Sequence, residues 1–179
     1  MIKKIGIILL IIIALLFGGF QFLTYQTKKA SPEQVEKYLK DDLILEVVYS
    51  SPAKKGRTIM DSLVPFGEVW RTGANEATTF STSSDISISG QKLAAGTYTL
   101  WTIPNKNQWE VIFNSGEYGW GVDFSQKASR DPNLDVVNVT VPIMELPQIQ
   151  ERFSIEFEGD VYLSMAWENT KVSVPISLN

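Results

Sequence analysis

The sequence predicts an all-β domain, an antiparallel β-sandwich or jelly roll, behind one N-terminal transmembrane helix and a short helical stalk. Two patterns carry this expectation. From Ile5 to Leu23 no side chain is charged. From Asp42 onward apolar residues recur at every second position, in short runs parted by Gly, Pro, Ser and Asp. Three regions follow: 1–25 an anchor, 26–41 a linker with a short helix, and 42–179 the β domain.

Composition narrows the chemistry. The 179 residues include neither Cys nor His. Disulfides, thiolate nucleophiles and cysteine zinc sites are therefore excluded, and so is the usual general base at neutral pH. No cofactor and no metal site is expected. The formal charge is −4, and it falls to −6 when Lys3 and Lys4 are set aside. Nucleic acid is an unsuitable partner for so acidic a domain, because phosphate contacts need a basic face.

The elements follow in order. Met1-Ile2-Lys3-Lys4 is a basic start. At about 1.5 Å per residue, Ile5–Leu23 is long enough to cross a hydrocarbon core of roughly 30 Å. A cleaved signal would carry a shorter apolar run and small residues spaced as Ala-x-Ala, and no such site stands here. The expectation is an uncleaved single-pass anchor with the C-terminal domain exported, on the periplasmic or extracellular side. Ser31-Pro32-Glu33-Gln34 reads as a capped helix start running to Lys40. Leu43, Leu45, Val47 and Tyr49 alternate as a buried strand.

Thr78–Thr82 and Asp85–Ser89 read as a hairpin about Ser83-Ser84. Thr97–Ile103 sets Tyr98 and Leu100 on one face and Trp101 and Ile103 on the other. Trp109, Val111 and Phe113 form the next strand, and 115–133 is a long Gly-rich loop. Val137, Val139 and Val141 resume the alternation. Pro142 to Pro147 is expected to connect to Phe153, Ile155 and Phe157. Gly159-Asp160 reads as a two-residue hairpin link to Val161–Trp167. A last strand, Val172–Leu178, carries Pro175 and so lies at an edge or a bulge. Phe157 is expected in the core with Trp101, Trp109, Phe113, Phe153, Leu163 and Trp167.

One stretch carries more than core and turns. Trp70-Arg71-Thr72-Gly73-Ala74-Asn75-Glu76 gathers an aromatic, a guanidinium, an amide and a carboxylate about a Gly. Trp70 suits stacking on a sugar or another flat ligand, with Arg71, Asn75 and Glu76 bonding its polar groups. The structural alternative has Arg71 paired with Glu76, Asn75 bracing its turn and Trp70 in the core. Arg57, in Lys54-Lys55-Gly56-Arg57, and Trp120, in Tyr118-Gly119-Trp120-Gly121, complete the candidate binding set. The first cluster suits an anion, and the second suits an adaptable recognition loop.

Asp131-Pro132-Asn133-Leu134-Asp135 has the opening spacing of a calcium loop. It has Val136 where that loop needs Gly and Pro142 where it needs an acid, so it reads as a turn. Glu76, Glu110, Glu117 and Asp123 are the acids from which a glycosidase pair would be drawn.

With these residues in view, the chain resembles the bacterial domain-of-unknown-function family numbered twenty-nine eleven. The text that carries the resemblance begins with Lys55-Gly56-Arg57. It continues through Leu63-Val64-Pro65-Phe66-Gly67-Glu68-Val69-Trp70-Arg71-Thr72-Gly73-Ala74-Asn75-Glu76-Ala77-Thr78-Thr79 and Leu93-Ala94-Ala95-Gly96-Thr97-Tyr98-Thr99-Leu100. It ends with Trp167-Glu168-Asn169-Thr170-Lys171-Val172-Ser173-Val174-Pro175. The resemblance covers about Asp42 to Leu178. It implies an exported envelope protein and no particular reaction. Ser51 stands before Pro52 where the family pattern leads one to expect Arg, and the long anchor replaces a cleavable signal. The functional expectation is a non-catalytic binding or structural module of the cell envelope, with a glycan or small polar ligand as first candidate. The alternative is a carboxylate-dependent hydrolase of a sugar or envelope polymer.

Overall fold

The computed structural model describes residues 2–159 and 161–178. An apolar helix, α1 (Ile2–Ala30), leads into nine antiparallel strands. They are β1 (Glu33–Lys40), β2 (Leu43–Ser50), β3 (Thr79–Thr82), β4 (Ile86–Ile88), β5 (Gln91–Leu93), β6 (Gly96–Pro104), β7 (Gln108–Asn114), β8 (Asp135–Glu158) and β9 (Tyr162–Leu178). The sheet order is β1-β2-β3-β6-β7-β8-β9-β4-β5.

This one ribbon folds over on itself, and β8 is the fold line. Its first part, up to Pro142, pairs with β7, and from Ile143 onward it pairs with β9. Two layers result. Tyr38 of β1 packs on Phe157 of β8, with ring centroids 6.0 Å apart, and Tyr49 of β2 meets Phe153 edge-on at 5.8 Å. On the far side Gln91 donates from Nε2 to the carbonyl of Asn138. The period-two apolar faces meet inside: Leu45, Val47, Phe80, Leu100, Trp109 and Phe113 from one layer, and Phe153, Leu163, Met165, Trp167 and Val174 from the other. A smaller cluster of Ala77, Trp101 and Ile112 lies on the outer face of β6 and β7, covered by Val69, Ile103, Tyr118 and Ala128.

The structure corrects five expectations. The helix expected over Ser31–Lys40 is instead the strand β1. The capping signal there is local, and tertiary pairing overrides it. Pro32 ends α1, Asp41 turns the chain at φ 51, and every residue of Glu33–Lys40 finds a partner in β2. Lys37 lies directly opposite Glu46 and bonds it at 2.6 Å. β1 therefore belongs to the domain rather than to a stalk.

Ser83-Ser84 is not a hairpin turn. It carries the chain from β3 in one layer to β4 in the other, where β4 pairs with β5 and β9. Pro142 to Pro147 is not a connection but the middle of β8. Pro142 sits where β8 changes partner, and Pro147 sits within a register shift between Glu145 and Gln150, so neither needs a ladder N–H. The two final strands are one, β9, bulged at Glu168 with φ 57. Phe157 is half-buried rather than sealed in the core. Of the expected Gly159-Asp160 link, Asp160 lies outside the described residues. Val161 N–H bonds back to the carbonyl of Glu158 as the chain turns.

Candidate functional site

A cleft of about 990 Å³ opens at one end of the two layers, where α1 joins the domain. Its walls are the junction Ala30–Ser31, the loops around Pro52–Arg57 and Leu63–Ala74, and the loop segment Val122–Ala128; Trp70 and Trp167 form its floor.

The first loop is fastened from below. Ser51 Oγ donates to the Phe153 carbonyl at 2.7 Å, Lys54 N–H to the Glu151 carbonyl, and Lys55 N–H to Glu151 Oε1. Lys55 and Gly56 then take φ 49 and 73, a tight reversal that Gly eases. The basic cluster is split by this turn. Lys54 points inward to Glu168 Oε1 at 3.1 Å. Arg57 folds over its own loop, donating to the carbonyls of Ala53 and Lys54 at 2.6 and 2.9 Å. Lys55 and Arg57 remain on the cleft wall.

Glu168 is the anchor of that wall. Its left-handed bulge turns the carboxylate under the loop, where it also accepts the N–H groups of Ile59 and Met60. Burial works against its charged form. The Lys54 ammonium and the two backbone donors outweigh burial and hold the Glu168 carboxyl below the usual glutamate range.

The central stretch divides its side chains among several elements. Trp70 is pinned to the floor. It stacks on Trp167 at 5.9 Å and 17°, meets Phe153 and Trp109 edge-on, and donates Nε1 to the Gly73 carbonyl at 3.0 Å. The Trp70 face that stacks on Trp167 is closed to a flat ligand. Arg71 lines the cleft and donates Nη1 to the Trp120 carbonyl at 2.9 Å. Burial lowers its pKa, and the nearby Glu76 charge only partly restores it.

Asn75 is buried at φ 57 and donates Nδ2 to the Ser31 carbonyl at 3.1 Å. Glu76 turns outward and bonds Lys28 of α1 at 2.6 Å. Arg71 and Glu76 therefore do not pair with each other. Thr72 at φ 55, Gly73 and Asn75 redirect the chain between them, so the two side chains leave on different sides. Trp120 contributes its carbonyl to Arg71, while its ring is exposed.

The structure thus brings Arg57, Trp70 and Arg71 to one cleft and leaves Asn75, Glu76 and the Trp120 ring off it. Two further charged residues, Glu68 and Lys127, line it. Lys127 sits in the same 115–133 loop as Trp120, beyond the Tyr118–Gly121 segment that stands out in the sequence. Cations predominate in the lining: Lys55, Arg57, Arg71 and Lys127 stand with a single carboxylate, Glu68, and among the described residues none of the four forms an ion pair, although the Glu76 charge acts on Arg71 and Lys127 acts on the Asp123 charge.

The acids considered as a hydrolytic pair lie elsewhere. Glu76 is on Lys28, and Glu110 accepts from Asn138. Glu117 is exposed, and Asp123 closes its own turn with Ser125 and Lys127 N–H. Asp131 caps a short 3-10 turn, Pro132–Leu134, by accepting Asn133 N–H.

A family model described as a protein of unknown function, DUF2911, matches residues 31–176. The chain belongs to this family. The DUF2911 match begins at Ser31 and so takes in β1, whereas the resemblance carried by the sequence motifs starts at about Asp42. Comparison with curated proteins and with solved structures finds no match.

Proposed function

We propose that this DUF2911 domain is a membrane-tethered, non-catalytic binding module of the cell envelope. On this reading its cleft takes a small polar ligand that carries an acidic group. The observation that carries the proposal is the gathering of four cations without ion-pair partners about one carboxylate. Arg71 decides it. Its guanidinium is partly withdrawn from water, bonds one carbonyl through Nη1, and belongs to a residue that lines the cleft. A planar donor fork of this kind matches a carboxylate or phosphate. A neutral glycan stacked on Trp70 has less support, since Trp167 covers one of its faces. The hydrolase alternative has no support from the cleft, which carries one carboxylate where two are needed.

The anchor is the Ile5–Leu23 run of α1, and the proposed placement has the domain on the exported side. The test is a thermal-shift comparison of the detergent-solubilised full chain with matched neutral and acidic ligands, glucose against glucuronate and glycerol against glycerol 3-phosphate. Stabilisation by the acidic member of each pair, lost in Arg71→Gln, is expected. Equal response to both members, or none to either, would overturn the reading.

A further inference from the structure

The position of the cleft narrows the source of its ligand. Ala30 and Ser31, the end of α1 and the residue after it, form part of its wall. Ala30 lies seven positions past Leu23, and at about 1.5 Å per residue this places it about 10 Å beyond the apolar run. A headgroup layer extends roughly 5–8 Å beyond the hydrocarbon core on each side. Ala30, and with it this wall of the cleft, therefore lies about 2–5 Å outside the headgroup layer.

The helix end does not swing freely from the domain there. Lys28 is bonded to Glu76, and Asn75 holds the Ser31 carbonyl. Ser51 N–H holds the carbonyl of Pro32.

The rim has the composition of an interface. Phe124, on the loop segment whose Val122, Gln126, Lys127 and Ala128 line the cleft, is fully exposed. Trp120, just before it, is 39% exposed, and Leu63, on another wall, is 46% exposed. Aromatic side chains with a neighbouring cation suit the boundary between acyl chains and headgroups. The charge pattern agrees. The chain beyond Lys4 is net acidic and would be repelled from an anionic surface, yet four cations without ion pairs among the described residues, Lys55, Arg57, Arg71 and Lys127, line the cleft at the end where the helix emerges.

We propose that the cleft holds the phosphate of an anionic phospholipid headgroup from the bilayer that α1 enters, with the Trp120–Phe124 loop seated in the interface. This rests on the anion-binding reading above and adds the source of the anion.

The test uses the full chain in neutral dodecyl maltoside micelles. Native mass spectrometry would compare retention of phosphatidylglycerol, phosphatidylcholine and the deacylated headgroup glycerophosphoglycerol. Phosphatidylglycerol should be retained at least about tenfold more strongly than either of the others, in keeping with the engagement of two or more cations. Arg71→Gln should reduce its retention to the phosphatidylcholine level. Phe124→Ser should weaken lipid retention while leaving glycerophosphoglycerol unchanged. If Arg71→Gln lowers the melting temperature, Lys127→Gln, on the loop, takes its place.

Equal binding of the lipid and of its deacylated headgroup would overturn the membrane source and leave the anion cleft standing. Lipid retention indifferent to both Arg71→Gln and Lys127→Gln would mark lipid merely coating α1 and would overturn the proposal. Binding of no anion at all would remove both readings.

Discussion

The Glu168 carboxylate offers the clearest test of how the cleft wall is held. It is mostly buried and serves three donors: Lys54 Nζ at 3.1 Å and the N–H groups of Ile59 and Met60 at 3.2 and 3.3 Å. Removing a buried acceptor leaves each former donor unsatisfied at about 1–3 kcal/mol. Lys54 and the loop can recover some water, so Glu168→Ala should destabilise by about 2–4 kcal/mol in all. Glu168→Gln keeps an acceptor oxygen and loses the charge, and about 1–2 kcal/mol is expected.

The pH dependence has a definite sign. The folded carboxyl is held below its unfolded value of about 4.3. Its stabilisation is therefore complete above that value and is lost as pH falls through the folded pKa. The assay is urea unfolding of the solubilised chain, followed by Trp emission, for wild type and Glu168→Gln at pH 7 and pH 3. Other acids titrate equally in both proteins and cancel in the difference. The gap should shrink at pH 3, below the unfolded value, because there the unfolded wild-type chain takes up a proton that the folded carboxylate resists, which costs the wild type stability that the amide variant does not lose. A gap of the same size at both pH values, or one that widens in acid, would refute the account.

Three further outcomes are expected. Phe153→Ala should cost about 3–5 kcal/mol in the same urea assay, because the ring is buried among Tyr49, Trp70 and Trp167. Phe157→Ala should cost less, and the reverse order would misplace the layer contact. Arg71→Ala and Glu76→Ala should couple by less than about 1 kcal/mol in a double-mutant cycle, since their charges interact but no bond joins them; a coupling of several kcal/mol would show that they pair in solution. The full chain should remain in the membrane pellet after a carbonate wash, whereas a soluble species beginning near Ser31 would show that α1 is a cleaved signal.

The period-two strands and the apolar helix were legible because each is a local pattern tied to a local cause, the alternation of side chains across a pleat and the length of an apolar run. The errors share one origin. Ser31-Pro32-Glu33-Gln34 has the residues of a helix start, yet β2 offers Glu33–Lys40 a full ladder of partners, Glu33 pairing with Ser50, and a four-residue capping signal does not see them. Ser83-Ser84 has the residues of a hairpin turn. Its outcome depends on β9, some ninety residues later, taking β4 as its neighbour. The cleft was half legible. Arg57, Trp70 and Arg71 stand in the sequence as unusual residues, while Lys127 and Glu68 join them only through the fold.

The same contrast explains the central stretch. A dense polar string suggests a ligand, but most of its side chains here join elements. Trp70 N–H and Thr72 Oγ1 bond the carbonyl and hydroxyl of Thr102 on β6, and Arg71 holds the 115–131 loop at Trp120. A Cβ on Gly73 would lie 3.0 Å from the Ser50 carbonyl oxygen at the end of β2, so the close approach requires glycine. Asn75 and Glu76 hold the helix junction through Ser31 and Lys28. A segment that must join a strand, a loop, a second strand and a helix within seven residues needs a different polar group for each. That requirement accounts for Thr72, Gly73, Asn75 and Glu76 without any ligand. It does not account for Arg71, whose bond to one carbonyl would be met as well by a neutral donor that carries no desolvation penalty. The charge at that position is what the joining role leaves unexplained, and the anion proposed above would supply its reason.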